Sequence, residues 1–143
     1  MRLALREAER ALEHADVPIG AVIVADRRVI GAAHNERELR QDPTAHAEIL
    51  ALRQAASALG SWRLIGCSLY VTLEPCAMCA GAIVLSRLDS VVYGAADQKA
   101  GAAGSVLQVL SNPALNHRPR LEGGLLAIEC SSLLTDFFAA RRQ

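Results

Sequence analysis

Residues 21–25, with the sequence AVIVA, form an uninterrupted apolar run between Gly20 and Asp26. A strand with one face in water alternates apolar and polar residues, whereas a strand buried on both faces is apolar throughout. The run therefore predicts a strand that other elements cover on both faces. Because helices are the usual cover for such a strand, we expect a layered α/β domain.

The rest of the chain supplies the other elements of such a domain. Residues 1–15 predict an amphipathic helix, and residues 29–33 predict a strand that forms a hairpin with the apolar run. The further predicted elements are a loop over 34–42, a helix from Pro43 to about residue 59 capped by Asp42 or Thr44, a strand over 67–73, a helix from Pro75 to about residue 87, a strand over 90–94, a short helical piece near 105–110, a strand over 118–121 and a closing helix over 127–142. This order predicts a mixed sheet of about five strands in a single domain spanning residues 1–143.

Composition limits what the protein binds and where it works. Fifteen Lys and Arg residues balance fifteen Asp and Glu residues, which argues against a strongly basic surface that binds nucleic acid without specificity. No apolar run approaches the ~18 residues of a membrane span. The N-terminal segment MRLALREAER lacks the unbroken apolar stretch of a signal peptide. We therefore expect a cytoplasmic protein with no membrane partner.

Two cysteines follow Pro75 at a spacing of three residues. Cys76 and Cys79 are expected on the first turn of a helix, where their side chains project from the same side. The partial positive charge of a helix N-terminus favours the thiolate, which binds metal ions or takes part in redox exchange. Taken alone, the C-x-x-C spacing leaves both chemistries open.

A third metal ligand is offered by His46, at the start of another predicted helix. In a layered α/β sheet, functional residues gather at strand ends where helices begin, so we expect His46 to meet Cys76 and Cys79. Three protein ligands leave zinc with an open position, which is typical of a catalytic site. The alternative is a structural zinc with Cys67 or Cys130 as fourth ligand, although both lie in apolar surroundings and are interpreted as packing residues.

Glu48 lies two residues after His46, in the segment TAHAEIL. On a regular helix the two side chains are about 200° apart, so they are not expected to bind the same metal ion. In the first turn both can lean over the helix end, where Glu48 would reach a water at the metal. We therefore predict His46 as ligand and Glu48 as proton shuttle. The alternative is that Glu48 is a solvated residue on a helix surface.

H-x-E followed by P-C-x-x-C is the signature of the zinc-dependent nucleobase deaminases, including those of cytidine, deoxycytidylate and guanine. Longer segments resemble the bacterial tRNA-specific adenosine deaminases over essentially the whole chain; these are VPIGAVIV, the asparagine of AHNE, DPTAHAE, LYVTLEPCAMCAGAI, VVYGA, KAGAAGS, NPALNHR and DFFAARRQ.

The resemblance implies the three-layer αβα fold of the cytidine deaminases and one Zn²⁺ per subunit, bound by His46, Cys76 and Cys79. It also implies hydrolytic deamination of adenosine to inosine at the wobble position of a tRNA anticodon, usually that of arginine tRNA, with Glu48 as the catalytic proton shuttle. The implied partners are the anticodon stem-loop and a second copy of the chain. The implied substrate-binding residues are Asn35, Ala47, Asp97, Lys99, Asn116, Phe138, Arg141 and Arg142.

Two other functions fit the same residues. One is a deaminase of a free base or nucleoside such as guanine or cytidine, and the other is a non-catalytic, zinc-stabilised RNA-binding module. Three of the implied RNA contacts also have structural interpretations: Arg141 and Arg142 suit the C-terminal end of a helix dipole, and Phe138 suits an apolar core.

Overall fold

The computed structural model describes residues 1–142. The helices are α1 (Arg2–Ala11), α2 (Arg37–Arg40), α3 (Ala47–Leu59), α4 (Ala77–Ser86) and α5 (Ala127–Arg141), and a 3-10 turn, Leu12–His14, continues α1. The strands are β1 (Gly20–Ala25), β2 (Arg28–His34), β3 (Cys67–Leu73), β4 (Ser90–Ala95) and β5 (Arg120–Gly123). Among residues 1–142, no helix is long and apolar enough to cross a membrane.

The five strands form one mixed sheet in the order β2-β1-β3-β4-β5. β1 pairs antiparallel with both β2 and β3, whereas β3, β4 and β5 are mutually parallel. The predicted hairpin and the predicted mixed sheet are therefore confirmed.

Helices cover both faces of the sheet, as the apolar run in β1 predicts. α1 lies directly on β1 at Gly20, where an added Cβ would meet the carbonyl oxygen of Ala4. Gly31 lies on the opposite face because of its register with Ile23, and a Cβ added there would lie 2.6 Å from the carbonyl oxygen of Ala51 in α3. α5 joins α1 on the first face, and α4 joins α3 on the second. The predicted three-layer αβα fold is thus confirmed.

The larger core lies between the sheet and the pair α3 and α4. Alternate strand residues point into it, because the side chains of a strand alternate between the two faces. Its fully buried members include Ile23, Leu69, Val71, Ile83, Leu88 and Val91.

Four chain segments meet at one edge of the sheet. The end of β3 lies beside the end of β4, and the start of β1 lies beside the end of β2. Ala21 pairs with Val71, which places all four strand ends on the same side. The loops that lead into α3 and α4 leave from this edge, so both helices begin there.

Two predictions for residues 34–47 are wrong. α3 begins at Ala47 rather than at Pro43, and its N-cap is His46 rather than Asp42 or Thr44. The backbone N–H and the hydroxyl of Thr44 both donate to Asp42 Oδ1, which forms a separate turn ahead of the helix. The predicted loop over 34–42 also contains the short helix α2.

Two predictions for the last third of the chain also need correction. Residues 105–110 form turns rather than a helix, because the N–H groups of Val106 and Leu107 both donate to the carbonyl of Gly101. The last strand begins at Arg120, two residues later than predicted, since Pro119 has no N–H for a strand ladder.

The close contact between α1 and β1 predicts the effect of a single methyl group. Gly20→Ala would place a Cβ in steric overlap with the Ala4 carbonyl oxygen, so α1 must move and we expect a loss of about 2 kcal/mol or more in the free energy of unfolding. Gly81→Ala in α4 is the matched control, because nothing lies within 4 Å of its added Cβ. It should stabilise the protein by up to about 1 kcal/mol. Urea unfolding followed by circular dichroism measures both values, and equal stability of the two variants would contradict this packing.

Candidate metal centre and active site

Two helix N-termini meet at the sheet edge where the strands end. The N-cap of α3 is His46 and the N-cap of α4 is Cys76, and both have extended backbone conformations with φ of −75°. An N-cap residue lies half outside its helix, so its side chain turns back over the helix end. His46 and Cys76 therefore occupy equivalent positions on two helices, and Cys79 follows Cys76 on the first turn of α4.

Three potential metal ligands converge here. The Nδ1 atom of His46 lies 3.6 Å from Cys76 Sγ and 3.5 Å from Cys79 Sγ, and all three ligand atoms lie within 4.8 Å of one another. With Zn–S bonds of about 2.3 Å and Zn–N bonds of about 2.0–2.1 Å, tetrahedral geometry requires an N···S separation of about 3.6 Å. The three residues therefore fit a zinc ion in both donor type and spacing.

The protonation of the cluster reflects its close spacing. A hydrogen bond from the Cys79 thiol, helped by His46, lowers the pKa of Cys76 to about 3. The same hydrogen bond, together with burial, raises the pKa of Cys79. The hydrogen bond to Cys76 raises the pKa of His46 against the effect of burial. Binding of a metal ion would require both cysteines as thiolates and a neutral His46, so it would release protons from this cluster.

A fourth cysteine ligand is not present in the part of the chain that the structure describes. His46, Cys76 and Cys79 form the one group of three or more metal-ligating side chains among residues 1–142. Cys67 begins β3 at the opposite end of the strand, and Cys130 packs from α5 against Gly94. Both thiols are buried, which fits the packing role expected from the sequence. The geometry therefore favours three protein ligands with an open position.

Glu48 is buried beside this cluster. It occupies the second helical position of α3 and is 4% exposed, so it is not the solvated surface residue of the alternative interpretation. Burial raises its pKa to about 7, although its own backbone N–H and the charge of His46 oppose the shift. A carboxyl group with a pKa near neutrality can both accept and donate a proton.

A cleft of about 180 Å³ opens next to the cluster, and its walls are formed by Val17, Ile19, Asn35, Arg37, His46 and Ala47. Asn35 is buried; its Nδ2 donates to the Val17 carbonyl, and its Oδ1 accepts the Arg37 N–H. Ala47 is the first residue of α3, where the backbone N–H has no partner within the helix. Three predicted site residues, Asn35, His46 and Ala47, therefore share one cleft.

A buried carboxylate supports the wall of the cleft that carries Arg37. Asp16 is 1% exposed; its Oδ1 accepts the N–H of Glu38 and its Oδ2 accepts the N–H of Leu39, both in α2, while His14 Nδ1 lies 2.7 Å from the same Oδ2. These contacts fix α2 against the segment that follows α1. Sequence reasoning missed Asp16 and Arg37, because a lone aspartate in a loop gives no indication of distant backbone donors.

Asp97 and Lys99 lie on the loop that follows β4. The Asp97 carboxylate accepts the N–H groups of Lys99 and Ala100, so it closes a turn, while the Lys99 side chain is exposed. The Asp97 N–H donates to Glu74, a buried residue at the end of β3 that was not predicted as a site residue. Burial raises the pKa of Glu74, but its hydrogen bonds outweigh that effect and hold it below the ordinary value.

The remaining predicted contacts lie further along the chain. Asn116 is exposed on the segment before β5, and Phe138 is 43% exposed on α5, so Phe138 is not a core residue. Arg141 donates to the carbonyl of Ala15, and its guanidinium lies 4.8 Å from the centroid of the Phe137 ring. Arg141 thus ties the end of α5 to the segment that leads to Val17 and the cleft. Arg142 is exposed at the end of the same helix.

Comparisons with known proteins agree with this geometry. The family model of the MafB19-like deaminases matches residues 1–142. The tRNA-specific adenosine deaminase of Bacillus subtilis (strain 168) is 48% identical over 143 residues, covering 100% of this chain and 89% of that protein. The protein of the same name from Aquifex aeolicus (strain VF5) is 49% identical over 142 residues, covering 99% of this chain and 93% of that protein.

A solved structure is also similar to this chain over nearly its whole length. It comes from a study of A-to-I editing by tRNA:A34 deaminases at the wobble position of transfer RNA. It superposes with a TM-score of 0.90 at 48% identity, covering 94% of this chain and 97% of the other. Full-length similarity at this level, together with the His-Cys-Cys cluster beside a buried glutamate, identifies the family: the chain belongs to the tRNA-specific adenosine deaminases.

Proposed function

We propose that this protein deaminates adenosine to inosine by hydrolysis at the wobble position of a tRNA anticodon, with arginine tRNA as the expected substrate. The observation that carries the proposal is the convergence of His46, Cys76 and Cys79 beside the buried Glu48 at the mouth of a cleft. Similarity to tRNA-specific adenosine deaminases over the full chain supports the choice of substrate.

The proposed metal is Zn²⁺, held by His46, Cys76 and Cys79. When bound by these residues, zinc would supply a water molecule of lowered pKa as the nucleophile. Glu48 would move both protons of the water: one goes to N1 of adenine as the oxygen bonds to C6, and the other goes to the amino group as the C6–N bond breaks. Ammonia then leaves, and inosine keeps the oxygen on C6 and the proton on N1. The pKa of about 7 suits both steps.

The cleft orients the base for this reaction. The Ala47 N–H points from the start of α3 and is proposed to donate to the adenine ring, while Asn35 uses its remaining donor and acceptor capacity on the base edge. A single unpaired base is required, and the anticodon loop presents unpaired bases, so little unstacking energy is needed.

The remaining RNA contacts are proposed on three segments. Lys99 and Asn116 are exposed and free to reach phosphate or base edges, and Phe138 offers an exposed ring for stacking. Asp97, Arg141 and Arg142 complete the proposed set, with Arg141 also fixing the end of α5 at Ala15. Binding of tRNA makes the cytoplasm the proposed location.

The second proposed partner is another copy of this chain. α3 and α4 expose an apolar groove on the side away from the sheet, lined in part by Leu52, Trp62, Leu64 and Leu85. Trp62 is 58% exposed and Leu85 is 68% exposed. In a single chain, exposure of a contiguous apolar surface to water is unfavourable in free energy, and such surfaces mark interaction sites. An exposed apolar face of this kind suits the interface of a twofold dimer, in which the same surface of each copy meets.

The function is tested directly by incubating the protein with an anticodon stem-loop of arginine tRNA that carries adenosine at the wobble position. Inosine is measured by mass spectrometry of the digested nucleosides. We expect inosine from the stem-loop and no turnover of free adenosine, cytidine or guanine. Turnover of a free base or nucleoside without conversion of the stem-loop would favour the small-molecule deaminase instead.

Zinc content tests the ligand set. Cys76→Ala should reduce bound zinc from about one per chain to below about a tenth, because two protein ligands do not hold the ion. Cys67→Ala and Cys130→Ala are the matched controls and should keep about one zinc per chain. Elemental analysis of the purified proteins measures these values. Loss of zinc from either control would reveal a fourth cysteine ligand.

Glu48→Gln separates proton transfer from metal binding. The amide has nearly the same shape but cannot accept the proton, so kcat for the stem-loop should fall by about 10²–10⁴-fold, while zinc stays bound. Glu122→Gln, an exposed residue of β5, should leave kcat unchanged. A Glu48→Gln variant with zinc bound and wild-type kcat would contradict the proposed role of Glu48. A wild-type protein that binds the stem-loop without converting it would favour the RNA-binding module.

The dimer face is tested by a charge placed in the groove. Leu85→Arg should convert the dimer to a monomer in light scattering, because an unpaired charge buried between the copies costs several kcal/mol. Ile128→Arg is the matched control, since Ile128 is 79% exposed but lies on α5. Dissociation of the Ile128→Arg variant, or an intact Leu85→Arg dimer, would place the interface elsewhere.

A further inference from the structure

Glu74 is a buried carboxylate that has no part in the mechanism described above. It is 2% exposed, and among residues 1–142 no Lys, Arg or His lies within ion-pairing distance of it. A buried charge without a counterion is stable only when hydrogen bonds satisfy it. The partners that supply those bonds therefore indicate what Glu74 does.

All of its donors come from one loop, residues 97–105. Oε1 accepts the N–H of Asp97 at 3.0 Å and the hydroxyl of Ser105. Oε2 accepts the N–H groups of Ala103 at 2.9 Å and Ser105 at 3.1 Å. Four hydrogen bonds to one carboxylate hold both ends of the 97–105 loop.

The middle of the loop is built around the same carboxylate. A Cβ added to Gly101 would overlap both Cδ and Oε2 of Glu74, so only glycine allows this approach. Next to it, the Pro75 carbonyl accepts the N–H of Ala102 at 2.8 Å. The dipeptide Glu74-Pro75 thus contacts the start, middle and end of the loop.

This dipeptide directly precedes Cys76, the N-cap of α4. The loop carries Asp97 and Lys99, two of the proposed RNA contacts. One short segment therefore connects the proposed metal site with the proposed RNA-binding loop, and a change in its hydrogen bonds would alter the distance between them.

We propose that Glu74 is a positioning residue that holds the 97–105 loop in a fixed place relative to the metal site, so that Asp97 and Lys99 meet the anticodon loop. The RNA part of this inference rests on the proposed function. Glu74 itself touches neither the base nor the reacting water. Its loss should weaken capture of RNA and leave the chemical step intact.

Glu74→Gln tests this role because it keeps the size of the side chain and replaces one acceptor oxygen with an NH₂ group. That group faces N–H donors of the loop and cannot accept from them. We expect amide hydrogen exchange over residues 97–105 to rise by about tenfold or more. We expect KM for the stem-loop to rise by about tenfold, with kcat within about threefold of wild type and zinc content unchanged.

Two further variants complete the experiment. Ser105→Ala removes one hydroxyl donor and should give smaller changes in the same direction, and it covers the case in which Glu74→Gln fails to fold. Glu122→Gln makes the same chemical change on the exposed face of β5 and should change neither exchange nor KM.

Three results would overturn the proposal: unchanged loop exchange in Glu74→Gln and Ser105→Ala, increased exchange with unchanged KM, or a loss of kcat at unchanged KM. Failure of the wild-type protein to convert the stem-loop would instead refute the proposed function. In that case hydrogen exchange still decides whether Glu74 holds the loop.

Discussion

The active site depends on two helices that begin at the same edge of the sheet. α3 begins at Ala47 and α4 begins at Ala77, so His46 and Cys76 are both N-caps. Each side chain turns over its own helix end toward the other, and Cys79 follows on the first turn of α4. The positive ends of two helix dipoles stabilise thiolates at this point. A start one residue earlier in either helix would rotate its ligand away from the shared site.

The N-cap position also shows how His46 and Glu48 can serve the proposed reaction at a spacing of two residues. A histidine inside the helix would project away from a glutamate two positions later. As the N-cap, His46 leaves the helical path and reaches the cysteines, while Glu48 stays on the buried side of the first turn. In the proposed mechanism, Ala47 between them contributes its backbone N–H, so the three consecutive residues have three separate roles.

The sequence predicted those features that depend on local pattern. Apolar patterns identified the first four strands and the main helices, whereas the last strand was predicted two residues too early. The H-x-E and P-C-x-x-C spacing identified the residues that converge. The pattern did not reveal the start of α3, because the turn made by Asp42 and Thr44 competes with a helical start at Pro43. Nor did it reveal the role of Glu74, whose donors lie 23 to 31 residues later in the chain. Contacts of that range are set by the folded sheet rather than by neighbours in sequence.

The coordination of the metal is the most direct measure of the central claim that two helix ends build a three-ligand site with an open position. Zinc K-edge X-ray absorption on the purified protein reports the number and type of atoms bound to the ion. The account predicts two sulfur atoms at about 2.3 Å and two nitrogen or oxygen atoms at about 2.0–2.1 Å, one from His46 and one from water. Three or four sulfur atoms would contradict it, since a third thiolate would close the open position and make the site structural.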